Sequence, residues 1–292
     1  MQNLHIEPAL QIDSTITRIA AVRNSIFRLG ESGQLSEVGM MKKTIWSYGG
    51  GRQSIAILVL IAQGKLPKPD LIIMSDTSRE RASTWRYQLN YGKPLMDKLE
   101  LPFVVASHDL STVDLYAHNG DLLLPTFTTS GGKLPTFCSN EWKKYVTRRK
   151  LRKMGFGPKN PITMWFGMSI DEISRLRHSD VEWITNHYPL CFDYPLRSFE
   201  CIKTAEDYGL PTPPHSSCWM CPNMDNREWR KIKSDDPADF QAAIELDYQI
   251  REKDTQGGVF LHRSLVPLDK ADLTIKSQPA PLLECSTGYC FT

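Results

Sequence analysis

The chain has 292 residues, and 35 Lys and Arg against 33 Asp and Glu leave a formal net charge of +2. Its 41% hydrophobic and 23% charged residues are ordinary for a globular protein, which excludes disorder of the whole chain. The small net charge excludes a global basic field. The longest apolar run, Ile55 to Ala62, is too short to cross a bilayer. We therefore expect a cytoplasmic protein with no membrane partner.

The order of apolar and polar segments predicts an α/β fold. Residues 1–40 are predicted to form an N-terminal helical extension and linker, with helical periodicity over 14–29. Strands are then predicted at 44–48, 70–75, 102–107 and 162–168, with helices at 55–63 and 83–99 between them, the second with an irregularity at Pro94. Such alternation indicates a mostly parallel sheet with helices on both faces over 41–190. Residues 191–292 are predicted to form a helical, Cys-rich module with one helix at 228–246.

A glycine cluster follows the first predicted strand. Three consecutive glycines let the backbone turn tightly and approach a ligand, because they carry no Cβ atom. The next helix would present unpaired N–H groups and the positive end of its dipole, which suit a phosphate. The stretch fits neither the Walker A loop nor the dinucleotide fingerprint, and a plain tight turn is the alternative. The candidate phosphate-binding residues are Ser47, Gly49, Gly50, Gly51, Arg52, Gln53 and Ser54.

The second predicted strand leads directly into Asp76 and Thr77. Ligands of open α/β sheets bind at the carboxyl ends of the strands, so we expect Asp76 to lie beside the glycine cluster. In the alternative interpretation, Asp76 only caps the turn that follows its strand.

These motifs in their order resemble the PP-loop superfamily of ATP pyrophosphatases. Within it they are most similar to the phosphoadenosine phosphosulfate (PAPS) reductase-like branch, which includes phage-type members and the sulfurtransferase of DNA phosphorothioation. The resemblance covers about residues 42–250. After the glycine cluster and Asp76-Thr77 with Glu80, the matching motifs are Phe137 to Lys143, Trp165 to Arg175, Tyr194-Pro195-Leu196 and Ser217-Cys218-x-x-Cys221-Pro222.

The resemblance implies an adenine nucleotide ligand, ATP or PAPS, together with Mg²⁺. The implied reaction cleaves ATP between its α- and β-phosphates, adenylates an acceptor and releases pyrophosphate, for sulfur transfer or for modification of a nucleotide or nucleic acid. It implies catalytic roles for Ser54, Asp76, Lys143 and Arg175, and further nucleotide contacts from Thr77 and Gly167. A nucleic acid, a sulfur donor protein and a second copy of the chain are the expected partners.

The chain departs from the branch after the glycines. Typical members have Lys-Asp-Ser where this sequence has Arg52-Gln53-Ser54. Arg52 can still meet a phosphate, but the acidic residue is lost, so a non-catalytic nucleotide- or nucleic-acid-binding module is one alternative. A PAPS reductase is the other, because Glu284-Cys285 resembles the tail motif whose cysteine attacks the sulfonate. The residues after Cys285 do not continue that motif.

Positive charge is concentrated in residues 143–153, which contain seven Lys and Arg and no Asp or Glu. This patch suits the phosphates or sulfate of a nucleotide, or a nucleic-acid backbone. A solvated helix face is the alternative. Further along, Glu172 and Arg175 have the i, i+3 spacing of a helical surface ion pair. By resemblance, Glu172 would instead orient Arg175 toward the nucleotide phosphates.

The seven cysteines include two pairs with the spacing of metal ligands. An odd number of cysteines in a reducing compartment argues against a disulfide framework. Cys218 and Cys221 form a Cys-x-x-Cys turn, and Cys285 and Cys290 can complete a set of four thiolates for zinc or an iron–sulfur cluster. Cys138, Cys201 and His215 are reserve ligands. A redox pair and inert buried thiols are the alternatives.

Overall fold

A computed structural model describes residues 42–108, 114–254 and 258–274. These residues belong to a compact unit that spans Met41–Thr292. The predicted N-terminal extension lies outside the described residues, as do Cys285 and Cys290.

The fold is built on a five-stranded parallel sheet in the order β3-β2-β1-β5-β6. Its strands are β1 (Lys43–Ser47), β2 (Leu71–Asp76), β3 (Phe103–Ser107), β5 (Ile162–Phe166) and β6 (Ile184–His187). The predicted α/β class with a mostly parallel sheet is thereby confirmed. All five strands end at one edge of the sheet, and β1, at the centre, ends with Ser47 in register with Ile73 and Phe166. A second, antiparallel pair joins β4 (Phe127–Thr128) to β7 (Val259–Phe260).

Eight α-helices are found in the described residues. They are α1 (Arg52–Ala62), α2 (Ala82–Tyr87), α3 (Lys93–Lys98), α4 (Tyr145–Lys153), α5 (Pro189–Phe192), α6 (Ser198–Asp207), α7 (Asn226–Asp235) and α8 (Pro237–Lys253). Single π-helical turns cover Gln88–Gly92 and Asn140–Lys144, and 3₁₀ helices cover Ile170–Arg175 and Leu268–Lys270. None of these helices has the length and apolar character needed to pass through a lipid bilayer.

The two faces of the sheet carry different helices because strand side chains alternate between faces. Trp46, Ile72 and Met74 point to one face, where they pack with α1, α3 and α6. Ile45 and Ile73 point to the other, where Val146 and Leu151 of α4 cover them. A third core joins α7, α8 and β7 to residues 122–142. Since α6 packs against α1, residues on both sides of the boundary predicted at 190/191 share a core, and the boundary itself remains a prediction.

One predicted irregularity is present, and two local departures from the predicted elements have identifiable causes. The helix predicted at 83–99, with an irregularity expected at Pro94, is divided into α2, a π-helical turn and α3 just before that proline, whose ring cannot continue the regular hydrogen bonding. The helix predicted at 228–246 begins at Asn226, and it is interrupted before Pro237, which starts α8. Strand β6 and helix α6 were not predicted, because each is short and presents few apolar residues in a clear period.

Candidate functional site

The glycine cluster forms a tight turn between β1 and α1. Gly49 donates its backbone N–H to Ser54 Oγ at 3.0 Å, which draws the turn over the first turn of the helix. Gly50 has a φ of +70°, a left-handed conformation that glycine adopts without penalty. A Cβ atom on Gly51 would lie 2.8 Å from the Cβ atom of Ser216, so a loop from the C-terminal half of the chain covers this turn closely.

The N-terminus of α1 is arranged to receive an anion. Its N-cap is Gly51, which supplies no side-chain cap, and its first turn contains no acidic residue. Arg52 follows at the first helical position, and its buried Nε atom makes no hydrogen bond with the described residues. Burial lowers the pKa of Arg52, while Glu228 opposes that shift. The turn therefore combines backbone donors at an uncapped helix end with the buried Arg52 Nε donor, which lacks an acceptor among the described residues.

Gln53, which stands where the branch typically has an acidic residue, is hydrogen-bonded to a neighbouring element. Gln53 Nε2 donates to Glu172 Oε2 at 3.1 Å, and Arg175 forms an ion pair with the other oxygen of the same carboxylate. Gly167, at the end of β5, packs against Gln53, since a Cβ on that glycine would lie 3.4 Å from Gln53 Cβ. The structure thus brings Gly167 and Arg175 to the glycine turn, and Glu172 holds both Gln53 and Arg175.

The end of β2 lies at the same edge of the sheet, and its side chains are buried. Asp76 Oδ1 accepts the backbone N–H of Ser78 at 2.7 Å, so this carboxylate does cap the turn that follows its strand. Thr77 Oγ1 lies 3.8 Å from Cys218 Sγ. Strand alternation places Ser47 on the α4 face and Asp76 on the α1 face. Ser47 and Asp76 therefore share an edge but not a face, and a role for Asp76 toward nucleotide or Mg²⁺ remains a prediction.

Lys143 is placed in a buried ion pair rather than on an exposed basic surface. Its Nζ atom lies 3.0 Å from Glu80 Oε1, and both side chains are almost fully buried. Burial alone would lower the pKa of Lys143, but the carboxylate of Glu80 raises it overall. Ser75 Oγ, which contacts Thr147 Oγ1 at 2.7 Å, holds the start of α4 against β2. The pair is thereby fixed at the carboxyl edge of the sheet.

The Cys-x-x-Cys turn belongs to this same edge. An isolated antiparallel bridge pairs Glu80 with Cys218, and Arg81 N donates to Ser217 O at 3.2 Å. A cavity beside the bridge is lined by Cys138, Cys218 and Cys221 together with Lys143 and His215. Sequence reasoning held Cys138 only in reserve, although its Phe-Cys-Ser motif was the available signal.

The thiols of this cavity do not form a metal site by themselves. Within 42–108, 114–254 and 258–274, no three His, Cys, Asp or Glu side chains are placed to hold a metal ion. Burial raises the pKa of the Cys138 thiol to about 12 and also raises the pKa of Cys218 and Cys221. Without three or four ligands placed around one point, the described residues hold neither tetrahedral zinc nor a cluster. The predicted set of four depends on Cys285 and Cys290, outside the described residues, and remains a prediction.

The segment that covers the glycine turn carries an ion pair that sequence reasoning missed, because His215 was predicted only as a reserve metal ligand. His215 Nδ1 lies 2.5 Å from Glu228 Oε1, and His215 stands directly before Ser216. Although burial acts against it, the hydrogen bond from His215 lowers the pKa of Glu228. No local signal links these residues to the glycine turn, because only the tertiary fold places 214–217 over it.

Comparison with known proteins finds distant structural similarities. No protein-family model matches the chain, and no curated protein matches it. Among solved structures, phosphoadenylyl-sulfate (PAPS) reductase from Candida auris, in a phosphate complex, matches at 9% identity and a TM-score of 0.41, covering 72% of this chain and 92% of that chain. The U34-tRNA thiolase NcsA from Methanococcus maripaludis, solved with its 4Fe-4S cluster, matches at 10% identity and a TM-score of 0.38, covering 81% of this chain and 78% of that chain.

A PAPS reductase is thus among the structures that this chain resembles, as its sequence motifs predict. With TM-scores this low, neither similarity indicates which reaction the chain carries out.

Proposed function

We propose that this chain is a nucleotide-binding enzyme that cleaves ATP between the α- and β-phosphates, transfers AMP to an acceptor and releases pyrophosphate. One observation carries the proposal. The Gly49–Gly51 turn, closed by the hydrogen bond from Gly49 to Ser54, leaves the N-terminus of α1 without a side-chain cap at the carboxyl edge of a parallel sheet. Anionic ligands bind at helix N-termini of this kind.

The charges around the turn support a polyphosphate ligand. Arg52 keeps a buried Nε donor that lacks an acceptor among the described residues, and a phosphate oxygen would supply one. Backbone N–H groups of the turn would hold the β- and γ-phosphates, while Arg175, oriented by Glu172, lies on the β5 side of the same turn. Donors fixed in this way stabilise the charge that develops as the bond to the leaving pyrophosphate breaks.

Asp76 is the carboxylate at this edge that we propose for the expected Mg²⁺ ion. Asp76 is buried and ends β2, and Mg²⁺ commonly uses one or two carboxylates together with the phosphates of the substrate. When bound, Mg²⁺ would neutralise charge on the leaving pyrophosphate. Because position 53 is Gln, the turn itself adds no second carboxylate.

Sulfur transfer to the adenylated acceptor is a second candidate, and the cavity favours it. Cys138, Cys218 and Cys221 line a cavity beside Lys143, and Thr77 links Cys218 to the end of β2. In such a step a sulfur nucleophile from a donor would form a bond to the acceptor. The bond from the acceptor to AMP would break, and AMP would leave with the electron pair.

The phosphate-binding role of the turn is tested by removing its two defining features. The variant Gly50→Val with Ser54→Ala should lose measurable ATP binding in calorimetry. Gly64→Val is the matched control, since Gly64 also has a φ of +70° but has open space around it, at the far end of α1. The control should bind ATP as the wild type does. Unchanged ATP affinity in the double variant would refute the assignment.

The reaction is tested by screening acceptors for release of pyrophosphate from ATP. Release of AMP and pyrophosphate that depends on an acceptor supports adenylation. Sulfite released from PAPS in the presence of a thiol, and lost in Cys285→Ser, would show a PAPS reductase instead. ATP binding without turnover in either assay would favour the non-catalytic module.

A further inference from the structure

The surface of α4 carries a set of cations that the proposed nucleotide site does not use. Between Trp142 and Ile170 the chain has eight Lys and Arg and no Asp or Glu. Lys143 is buried with Glu80, and Lys144 and Arg148 both pair with Asp180. Lys159 lies beyond the helix, and the four cations that remain on α4 are called the basic face: Arg149, Lys150, Arg152 and Lys153.

The basic face is unneutralised. In the described part of the chain, no acidic side chain forms an ion pair with any of its four members. Asp180, the acidic residue that reaches this helix, is already held by Lys144 and Arg148. Arg149, Arg152 and Lys153 are exposed. Four like charges on one short helix repel each other in the free protein, so a polyanion would relieve a cost that the fold leaves in place.

The helix presents these cations outward because its other side is packed on the sheet. Val146 and Leu151 are buried against the core beneath β2 and β1. Arg152 is placed over the ring of Trp183, with its guanidinium carbon 5.9 Å from the ring centroid. The side chains of the basic face therefore project from a rigid element rather than from a loop.

The helix that carries the basic face begins beside the candidate site. Trp142 and Lys143, in the turn before α4, line the cavity that also contains Cys138, Cys218 and Cys221. The four cations lie within five residues, about 6 Å along the helix axis, and their long side chains spread around the exposed side of the helix. A single mononucleotide in the site cannot reach all four cations, whereas a polynucleotide can.

We propose that the basic face of α4 binds the phosphodiester backbone of a nucleic acid and leads one of its nucleotides to the cavity. The contact itself requires only the charges on this helix. The further statement that this nucleic acid is the acceptor of AMP rests on the proposed function. A lipid surface suits the helix less well, because membrane-binding helices insert an exposed apolar face and the apolar face of α4 is packed on the sheet.

The proposal is tested by fluorescence anisotropy with a labelled single-stranded RNA of about 20 nucleotides and with a DNA of the same sequence, both without ATP. With four phosphate contacts, affinity should fall about 50-fold between about 50 and 200 mM salt. In Arg149→Gln/Lys153→Gln, two contacts are lost and the fall should be about sevenfold. If RNA or DNA binds more tightly, that polymer is the one that the basic face recognises. If both bind equally, the basic face contacts the backbone of either polymer.

The matched control removes two charges from the opposite side of the sheet. Lys98 on α3 and Lys203 on α6 are exposed, and α3 and α6 pack in the core of the α1 face. Lys98→Gln/Lys203→Gln should keep the steep salt dependence of the wild type. Equal weakening in both variants, or a basic-face variant that retains the wild-type salt dependence, would overturn the proposal. Vesicles of phosphatidylserine and phosphatidylcholine that bind through the basic face when neither oligonucleotide binds would also overturn it.

A parallel titration with ATP separates this inference from the proposed function. The basic-face variant should bind ATP with wild-type affinity, because none of its substitutions lies at the glycine turn. If the wild type binds no ATP but binds the oligonucleotide through α4, the proposed enzymatic function fails and the nucleic-acid contact stands.

Discussion

Glu80 and Lys143 form a buried ion pair with 3.0 Å between Glu80 Oε1 and Lys143 Nζ, although 62 residues separate them in the sequence. The pair joins the segment after β2 to the segment before α4, and Glu80 also bridges to Cys218. It therefore connects the three parts of the chain that surround the thiol cavity. Any change in one member alters the charge balance of that whole region.

Removal of one member should be strongly destabilising. In Lys143→Met the carboxylate of Glu80 stays buried without its partner, and we expect a loss of about 3–5 kcal/mol in the free energy of unfolding. Urea denaturation measures it. The double variant Glu80→Gln/Lys143→Met should lose less than the sum of the two single variants, since no isolated charge remains. A loss of under about 1 kcal/mol in Lys143→Met would mean that the pair behaves as an exposed one.

The same pair predicts how that loss depends on pH. Although burial alone would lower the pKa of Lys143, Glu80 raises it overall in the folded state. The contribution of a raised lysine is fully present below its unfolded pKa of about 10.4 and is lost as pH rises through the folded value. The stability difference between wild type and Lys143→Met should therefore not decrease between about pH 6 and pH 9. A difference that shrinks as pH rises within that range would contradict the raised pKa.

The close contact between segment 214–217 and the glycine turn predicts that a second substitution can restore stability lost at Gly51. In Gly51→Ala the new Cβ atom meets Ser216 Cβ at 2.8 Å and the backbone N of Ser216 at 3.1 Å. Overpacking of this kind costs about 1–3 kcal/mol. Ser216→Gly removes the closer of the two atoms, so the double variant should regain part of the lost stability in urea denaturation. Strict additivity of the two substitutions would show that segment 214–217 does not press on the turn.

The hydrogen bond from Gln53 to Glu172 predicts that an acidic residue at position 53 destabilises the fold. Gln53→Glu would place a second carboxylate against Glu172, and it would replace a hydrogen bond of 3.1 Å with repulsion. We expect a loss of about 1–3 kcal/mol in stability, since the hydrogen bond is part-buried and Glu172 is left facing an acceptor. Glu172→Gln should restore most of it, and thermal unfolding provides the measurement. A variant Gln53→Glu as stable as the wild type would indicate that position 53 faces another partner, such as a cation.

Asp180 limits the charge on α4, so its removal should strengthen polyanion binding. Asp180→Asn releases Lys144 and Arg148, and each of them that then contacts a phosphate would make the salt slope for single-stranded nucleic acid steeper by about 0.7. Hydrogen bonds, chiefly from Arg148, keep the pKa of Asp180 well below its usual range. Its contribution is thus present above the unfolded pKa of about 3.9 and lost only as pH falls through the folded value.

The control for this prediction is Asp207→Asn on α6, which frees Lys203 on the other side of the sheet. It should leave the salt slope unchanged. Because Asp180 is half exposed, Asp180→Asn should cost no more than about 1 kcal/mol of stability. An unchanged slope in Asp180→Asn would argue that Lys144 and Arg148 do not contribute to the surface.

Local pattern was enough to predict four of the five parallel strands and the turn after the first of them. Their apolar runs, such as Leu71 to Met74, are buried on both faces and bounded by turn residues, and those properties are visible in consecutive residues. Strand β6 was missed because its sequence Ile184–His187 has one apolar residue. Helix α6 was missed because two buried residues, Cys201 and Ala205, make up its inner side.

The sequence by itself determined the fold class, the glycine turn and the position of Asp76 at a strand end, because each depends on neighbouring residues and on the geometry of parallel strands. Only the tertiary structure decided that Ser216 covers the turn, that Lys143 is buried with Glu80, and that Cys138 meets the Cys-x-x-Cys turn. Those contacts join residues far apart in the chain, and neither periodicity nor local propensity predicts which surfaces will pack together. They arise when apolar faces pack, and the polar groups carried along with those faces must then find partners at the edge of the sheet.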